Sequence, residues 1–202
     1  SAVDSSKIQS VTIGFGLATG QFAGVGGTTI SSIANTVSAA IGNGQSSASQ
    51  SSVTGRNISV NATDNSSITA TAAIAGASTQ GSAAGLALVY SSIANNVSAG
   101  VTGSKLTASG NVGINANSNA NISTVAVGIA MSSQVGLAGS VATNLMGTNV
   151  TASITAAGTN GINGADVTAT NNVGVIAGNN DKAAVFAGAL SISKGAAGGA
   201  GS

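Results

Sequence analysis

Cysteine, histidine, tryptophan, proline and glutamate are all missing from this chain, and each absence removes a class of chemistry. Zinc sites built from Cys and His cannot be assembled. Nucleophilic serines need a base beside them, and the usual bases near neutral pH, His or a tuned Glu, are absent. The acids are Asp4, Asp64, Asp166 and Asp181, and the bases Lys7, Arg56, Lys105, Lys182 and Lys194. No two carboxylates fall close together in sequence, so the reading is no catalytic residue, no metal ligand, no cofactor and no enzyme. With 4% charged residues and a net charge of +1, the chain lacks the basic clusters that nucleic acids and anionic membranes attract. An aromatic content of 2% removes base-stacking platforms and the girdles of outer-membrane barrels. The longest apolar region, Val125 to Ala142, is broken by Ser132, Ser133 and Gln134; it reads as strands, and no transmembrane segment is expected. The opening Ser1-Ala2-Val3-Asp4 carries no signal-peptide pattern, which reads as a mature or excised piece. The lack of Cys fits export across membranes.

What is present is 43% apolar residues, mainly Ala, Val and Ile, together with 30 glycines. Disordered chains combine low hydrophobicity with high net charge, so this one should fold. Small and β-branched side chains favour thin, stacked layers over a thick core, and Ser, Thr and Asn are left to hydrate the surface.

The chain repeats itself. Ser31-Ser-Ile-Ala-Asn-Thr-Val-Ser-Ala39 returns at an offset of 60 as Ser91-Ser-Ile-Ala-Asn-Asn-Val-Ser-Ala99, and Asn149-Val-Thr-Ala152 is a weaker third copy. Asn57-Ile-Ser-Val-Asn-Ala62 returns as Asn111-Val-Gly-Ile-Asn-Ala116 and Asn172-Val-Gly-Val-Ile-Ala177, at offsets of 54 and 61. Ile68–Ser78 is echoed by Ile122–Ser132, by Ala183–Ser193 and by Ile8–Ala18. Three blocks in constant order with offsets of 53–61 mark a repeat array whose corners accept insertions while its strands keep register. The variable tracts Gly42–Ser52 and Ala156–Gly164 are the expected corners.

Within the blocks the period is two, which marks strands with one buried and one solvated face. The expected inward residues are Ile33, Val37, Ile41, Ile93, Val97, Val101, Val112, Ile114, Val150, Ile154, Val173 and Val175. Asn35 and Asn95 share that parity and are candidates for a ladder of stacked amides from coil to coil. Leu106–Ala116 reads as a β-arc, two strands that pair with neighbouring coils and not with each other. The fold class is therefore all-β, a β-solenoid of about three degenerate repeats with a period of 53–61. It occupies 1–202 as one array with a Gly/Ala-rich tail at 195–202. Coils of roughly 20 residues, about ten of them, would make a rod about 50 Å long.

The blocks Leu106-Thr-Ala…Asn111-Val-Gly-Ile-Asn-Ala116, Val167-Thr-Ala…Asn172-Val-Gly-Val and Ser-Ile-Ala-Asn-Asn-Val-Ser-Ala resemble the repetitive passengers of bacterial two-partner-secretion exoproteins and autotransporters, the filamentous-haemagglutinin-like and leukotoxin-like adhesins. The resemblance covers nearly the whole chain. It implies a right-handed parallel β-helix, export, and adhesion or display at a bacterial cell surface. Expected partners are adjacent coils of a longer chain or copies of itself in a fibre, and a host or neighbouring-cell surface. End-to-end filament assembly is the alternative. An ice-binding solenoid is a third, for which Thr69/Thr71 and Thr168/Thr170 supply Thr-x-Thr pairs whose separation matches no repeat offset. The sequons at Asn57, Asn61, Asn65, Asn96, Asn121 and Asn149 read as products of composition. Gly161-Ile-Asn-Gly-Ala-Asp166 reads as an Asn-Gly turn, since a calcium β-roll needs that motif in tandem.

Overall fold

A run such as Ile58-Ser-Val-Asn-Ala-Thr-Asp64, with apolar residues at alternate positions and no proline, can pair on both edges while burying one face. The computed structural model, which describes residues 1–42, 51–156, 164–195 and 197–202, is built from such runs, with no helix among the described residues. In chain order the first turn holds β1 (Ala2–Asp4), β2 (Lys7–Ala18), β3 (Phe22–Ile33), β4 (Thr36–Gly42) and β5 (Ser51–Gly55). The second holds β6 (Ile58–Asp64), β7 (Ser67–Ser78), β8 (Ser82–Ile93), β9 (Asn96–Thr102) and β10 (Ser104–Ala108). The third holds β11 (Val112–Ser118), β12 (Asn121–Ser132), β13 (Val135–Met146), β14 (Asn149–Thr155) and β15 (Asp166–Ala169), and β16 (Val173–Asn179), β17 (Lys182–Ser193) and β18 (Ala197–Gly201) follow.

Every pairing is parallel and joins a strand to its counterpart one turn later. The ladders are β1-β6-β11-β16, β2-β7-β12-β17, β3-β8-β13-β18, β4-β9-β14 and β5-β10-β15. This is a parallel β-helix, and β10 and β11 form an arc, each in its own ladder. The turn is much larger than expected. One coil consumes a whole repeat, as Ile8↔Ile68, Val112↔Ile58 and Val112↔Val173 pair directly. The chain therefore makes three turns and part of a fourth, in place of the ten small coils expected. Two long strands separate one arc from the next, and a small coil has no room for them: β7 and β8 alone run for 12 residues each.

Length variation gathers at one corner. Gly103 alone joins β9 to β10, where the other turns carry 43–50 and 156–165. A one-residue corner needs left-handed backbone, and Gly103 has φ 56°, a region costly for residues with a Cβ. The corners expected at Gly42–Ser52 and Ala156–Gly164 fall largely outside the described residues.

The two walls of each coil divide the molecule into halves. Near the short corner β6 faces β9, and β11 faces β9 and β14; Val97, Val101, Leu106, Val112 and Ile114, all at most 1% exposed, fill the space between. Beyond a bend in each wall the long strands face each other, β7 on β8 and β12 on β13, as a blade about 40 Å long. The inner residues of the blade are aliphatic nearer the waist, where Ile68, Ile74, Val89, Ile93 and Ile122 are buried, and small toward the tip. A Cβ on Gly76, Gly85 or Gly128 would come within 2.4, 2.1 and 2.1 Å of a carbonyl oxygen on the opposite sheet, so the two sheets approach almost backbone to backbone. Toward the tip the core is Ala23, Ala83, Ala130 and Ala138.

Three expectations change. Val173 and Val175 continue the inward register of Val112 and Ile114 but are 47% and 44% exposed, because the ladder opposite them stops at β14. Ile41, Val150 and Ile154 are only half-buried, each lying in an outermost strand of that ladder, whereas Ile33, Val37, Ile93, Val97 and Val101 are buried. The Gly/Ala-rich stretch is no tail: Ala197–Gly201 pairs with Val135–Gly139.

Candidate functional site

The bends place polar side chains inside the molecule, at a waist between the halves. In the second turn Asp64 and Ser66 on one wall meet Asn95 on the other, all at most 2% exposed. Asn95 Nδ2 donates to Asp64 Oδ2 at 2.7 Å and Ser66 Oγ donates to Asp64 Oδ1 at 2.5 Å. The first turn repeats the motif, with Asn35 Nδ2 donating to Asp4 Oδ2 at 2.7 Å and Ser6 Oγ to Asp4 Oδ1 at 3.1 Å. Higher up the motif is degenerate. Ser118 and Ala120 replace the acid and the serine, and Asp181 reaches across from the following turn to accept from Ser118 Oγ at 2.6 Å and Ala120 N at 2.8 Å.

Burial raises the Asp4 pKa, but the hydrogen bonds from the Ser6 amide and hydroxyl, Ser66 and Asn35 outweigh it, holding the carboxyl below its ordinary value. These donors are neutral, and Ser66 Oγ, fully buried, is committed within the seam to Asp64 Oδ1. The arrangement clamps two walls.

Asn35 and Asn95 therefore do something different from the expected amide stack. Asn35 N donates to Asn95 Oδ1 at 2.9 Å, linking the coils, while both Nδ2 groups are committed across the interior to Asp4 and Asp64. Amide ladders exist instead on the outer walls. Asn115 Nδ2 donates to Asn61 Oδ1 at 2.9 Å, Asn149 Nδ2 to Asn96 Oδ1 at 3.0 Å, and Asn119 and Asn180 extend a column from Asn65 at 3.1 and 3.4 Å. The recurrence of Asn at offsets of 53, 54 and 61 is their signal in the sequence. Asn61, Asn65, Asn96 and Asn149 are sequon residues whose amides are engaged in these columns.

The Thr-x-Thr reading meets the register directly. Thr69 and Thr71 lie beside Gln9 and Val11 on one side and Ser123 and Val125 on the other, so no Thr column continues there. Thr54, Thr107 and Thr168 do align, next to Ser52, Lys105 and Asp166, and Lys105 Nζ lies 3.8 Å from Asp166 in an exposed pair. The Gly161–Asp166 turn falls partly outside the described residues.

The second candidate is the outside of the blade, a surface that sequence reading misses. Leu86, Leu88 and Tyr90 on β8 are 51%, 45% and 40% exposed, and Val11, Ile13 and Phe15 on β2 are 69%, 78% and 67% exposed. The strands that bury Ile68, Ile74, Val89, Ile93 and Ile122 also turn large side chains outward on the alternate parity. No family model matches the chain, and no match was found among curated proteins or solved structures.

Proposed function

We propose that this chain is a non-catalytic structural and adhesive segment of an extracellular bacterial surface protein or fibre. The observation that supports this best is the unbroken stacking of side-chain columns: Asn57 Oδ1 accepts from Asn111 N at 2.9 Å, and Asn111 Oδ1 in turn from Asn172 N at 3.2 Å. Such columns stiffen a rod without charge and give the walls outside the blade a neutral, hydrogen-bonding exterior suited to display. Antibody raised against the purified chain should label intact source cells. Labelling only after permeabilisation would contradict surface display, and beads coated with the chain that bind neighbouring or host cells no better than bare beads would contradict adhesion.

A second reading is end-to-end assembly. β2 and β17, each 12 residues long, are the outermost strands of their ladder and keep one unpaired edge. Such edges template pairing with another chain. Fibres lengthening along the ladder direction would favour it.

A further inference from the structure

The blade leaves two apolar sheet faces open, one on each side. The face formed by β2, β7, β12 and β17 carries no charged side chain between Lys7 and Lys182 at the waist and Lys194 at the tip, and that formed by β3, β8, β13 and β18 carries none. Exposed apolar surface on this scale marks an interaction site.

The two faces are complementary over the middle of the blade. In the second turn Ala73 and Ala75 form the floor of the first face, while Leu86, Leu88 and Tyr90 project from the other. In the first turn the relation inverts at mid-blade: Ile13 and Phe15 project from the first face, and Gly26 and Thr28 lie low on the other between the projecting Phe22 and Ile30, with open space above Gly26. From the second to the fourth turn, Leu86, Leu88, Gly139, Val141 and Gly201 line a cleft of about 340 Å³ on the second face, and Ile129 and Leu190, a register pair, stand on the first. Heights agree as well. Gly76 lies against Ala84, and Gly128 against Gly85 and Gly139, which sets Leu86 level with Ala73 and Ala75, and Gly139 level with Ile129.

We infer that this chain stacks laterally on a second copy of itself, the β2-β7-β12-β17 face of one copy against the β3-β8-β13-β18 face of the next, with turns at the same level. The fit is by translation through the blade's thickness, so at mid-blade Ile13 and Phe15 meet Thr28 and Gly26, Leu88 and Leu86 meet Ala73 and Ala75, and Ile129 meets Gly139, while Val11 meets Ile30 as one apolar side chain on another. On the second face three strands of about 40 Å and the five-residue β18, in layers of about 4.8 Å, give roughly 650 Å², of the order of the ~800 Å² per partner of stable interfaces. Lipid would cover apolar surface but would require no alternation of large with small; a copy of the chain does. Because the faces differ, the contact is heterologous and leaves one face of each kind free, so association grows into rows. This holds whether or not the chain is displayed on a cell.

Sedimentation velocity of the full chain over a concentration series tests it, with folding checked by circular dichroism. Wild type should form a ladder of multimers. Ala75→Lys and Leu88→Lys each damage one face and should be monomeric alone, yet their mixture should give a terminated 1:1 dimer through the two intact faces. If either fails to fold, Ile13→Lys and Leu137→Lys cut the same two faces. Ala75→Leu adds apolar surface but fills the groove, so association should weaken at least about tenfold. Homodimers of a single Lys variant, unchanged or tighter association by Ala75→Leu, or a wild type monomeric in buffer that floats with phosphatidylcholine vesicles would each overturn the inference.

Discussion

Asn95 is the residue on which the waist depends most. It supplies Asp64 with a donor at 2.7 Å and accepts the Asn35 amide at 2.9 Å. Asn95→Ala removes both and leaves a carboxylate, itself fully buried, short of a donor. The expected loss is about 2 kcal/mol or more, read as a lower denaturation midpoint, and a loss below about 0.5 kcal/mol would reject the clamp. Parity can be tested close by on the same strand. Val97 is 0% exposed, whereas Ser98 points outward and bonds Ser38 Oγ at 3.0 Å. Val97→Asp should cost several kcal/mol and Ser98→Asp under about 1 kcal/mol; equal losses in urea titrations would reject the assignment.

At the scale of elements, strands, parity and block order were legible because a period of two and near-identical blocks express them directly. The size of the coil was not. Its signal is that β7 and β8 run 12 residues each with no turn residue forcing a bend, yet a run of Ala, Gly and Ser looks equally compatible with several short strands. The polar waist was half legible: Asn35 and Asn95 stood out by recurrence, but their partners Asp4 and Asp64 lie 31 residues upstream, across a wall that only the fold brings near. The blade's outward-facing large residues escape sequence reading because apolar residues stand on both parities there: Ile74 and Val89 are buried, while Leu86 and Leu88 face outward. Glycine separates these roles. Gly128→Ala would place a methyl 2.1 Å from the Gly139 carbonyl oxygen, while Gly174→Ala meets nothing within 4 Å. Melting temperature should drop for the first and stay level or rise slightly for the second; two equal drops would contradict the close approach of the sheets.

At the scale of the whole molecule, neutral columns and backbone ladders hold the structure together, and its response to pH follows from that. The folded pKa of Asp4 lies below its unfolded value, so its contribution is fully present above about pH 4 and is lost as pH falls through the folded value. With no histidine in the chain, melting temperature should hold level from about pH 5 to pH 8 and fall below about pH 4; a shift of tens of degrees inside the level range would contradict this. The central claim is that one coil takes a full repeat. It puts Ser38 beside Ser98 in the next turn, with their hydroxyl oxygens 3.0 Å apart, and puts Ser59 in a different ladder from Ser38. Adjacent parallel strands bring Cα atoms within disulfide range. The direct measurement is oxidation of dilute Ser38→Cys/Ser98→Cys protein, read by mass and by electrophoretic mobility, with Ser38→Cys/Ser59→Cys as the comparison. A rapid intramolecular disulfide in the first pair alone is the expected result, and cross-linking of the second pair instead, as a coil of a third that size requires, would contradict the account.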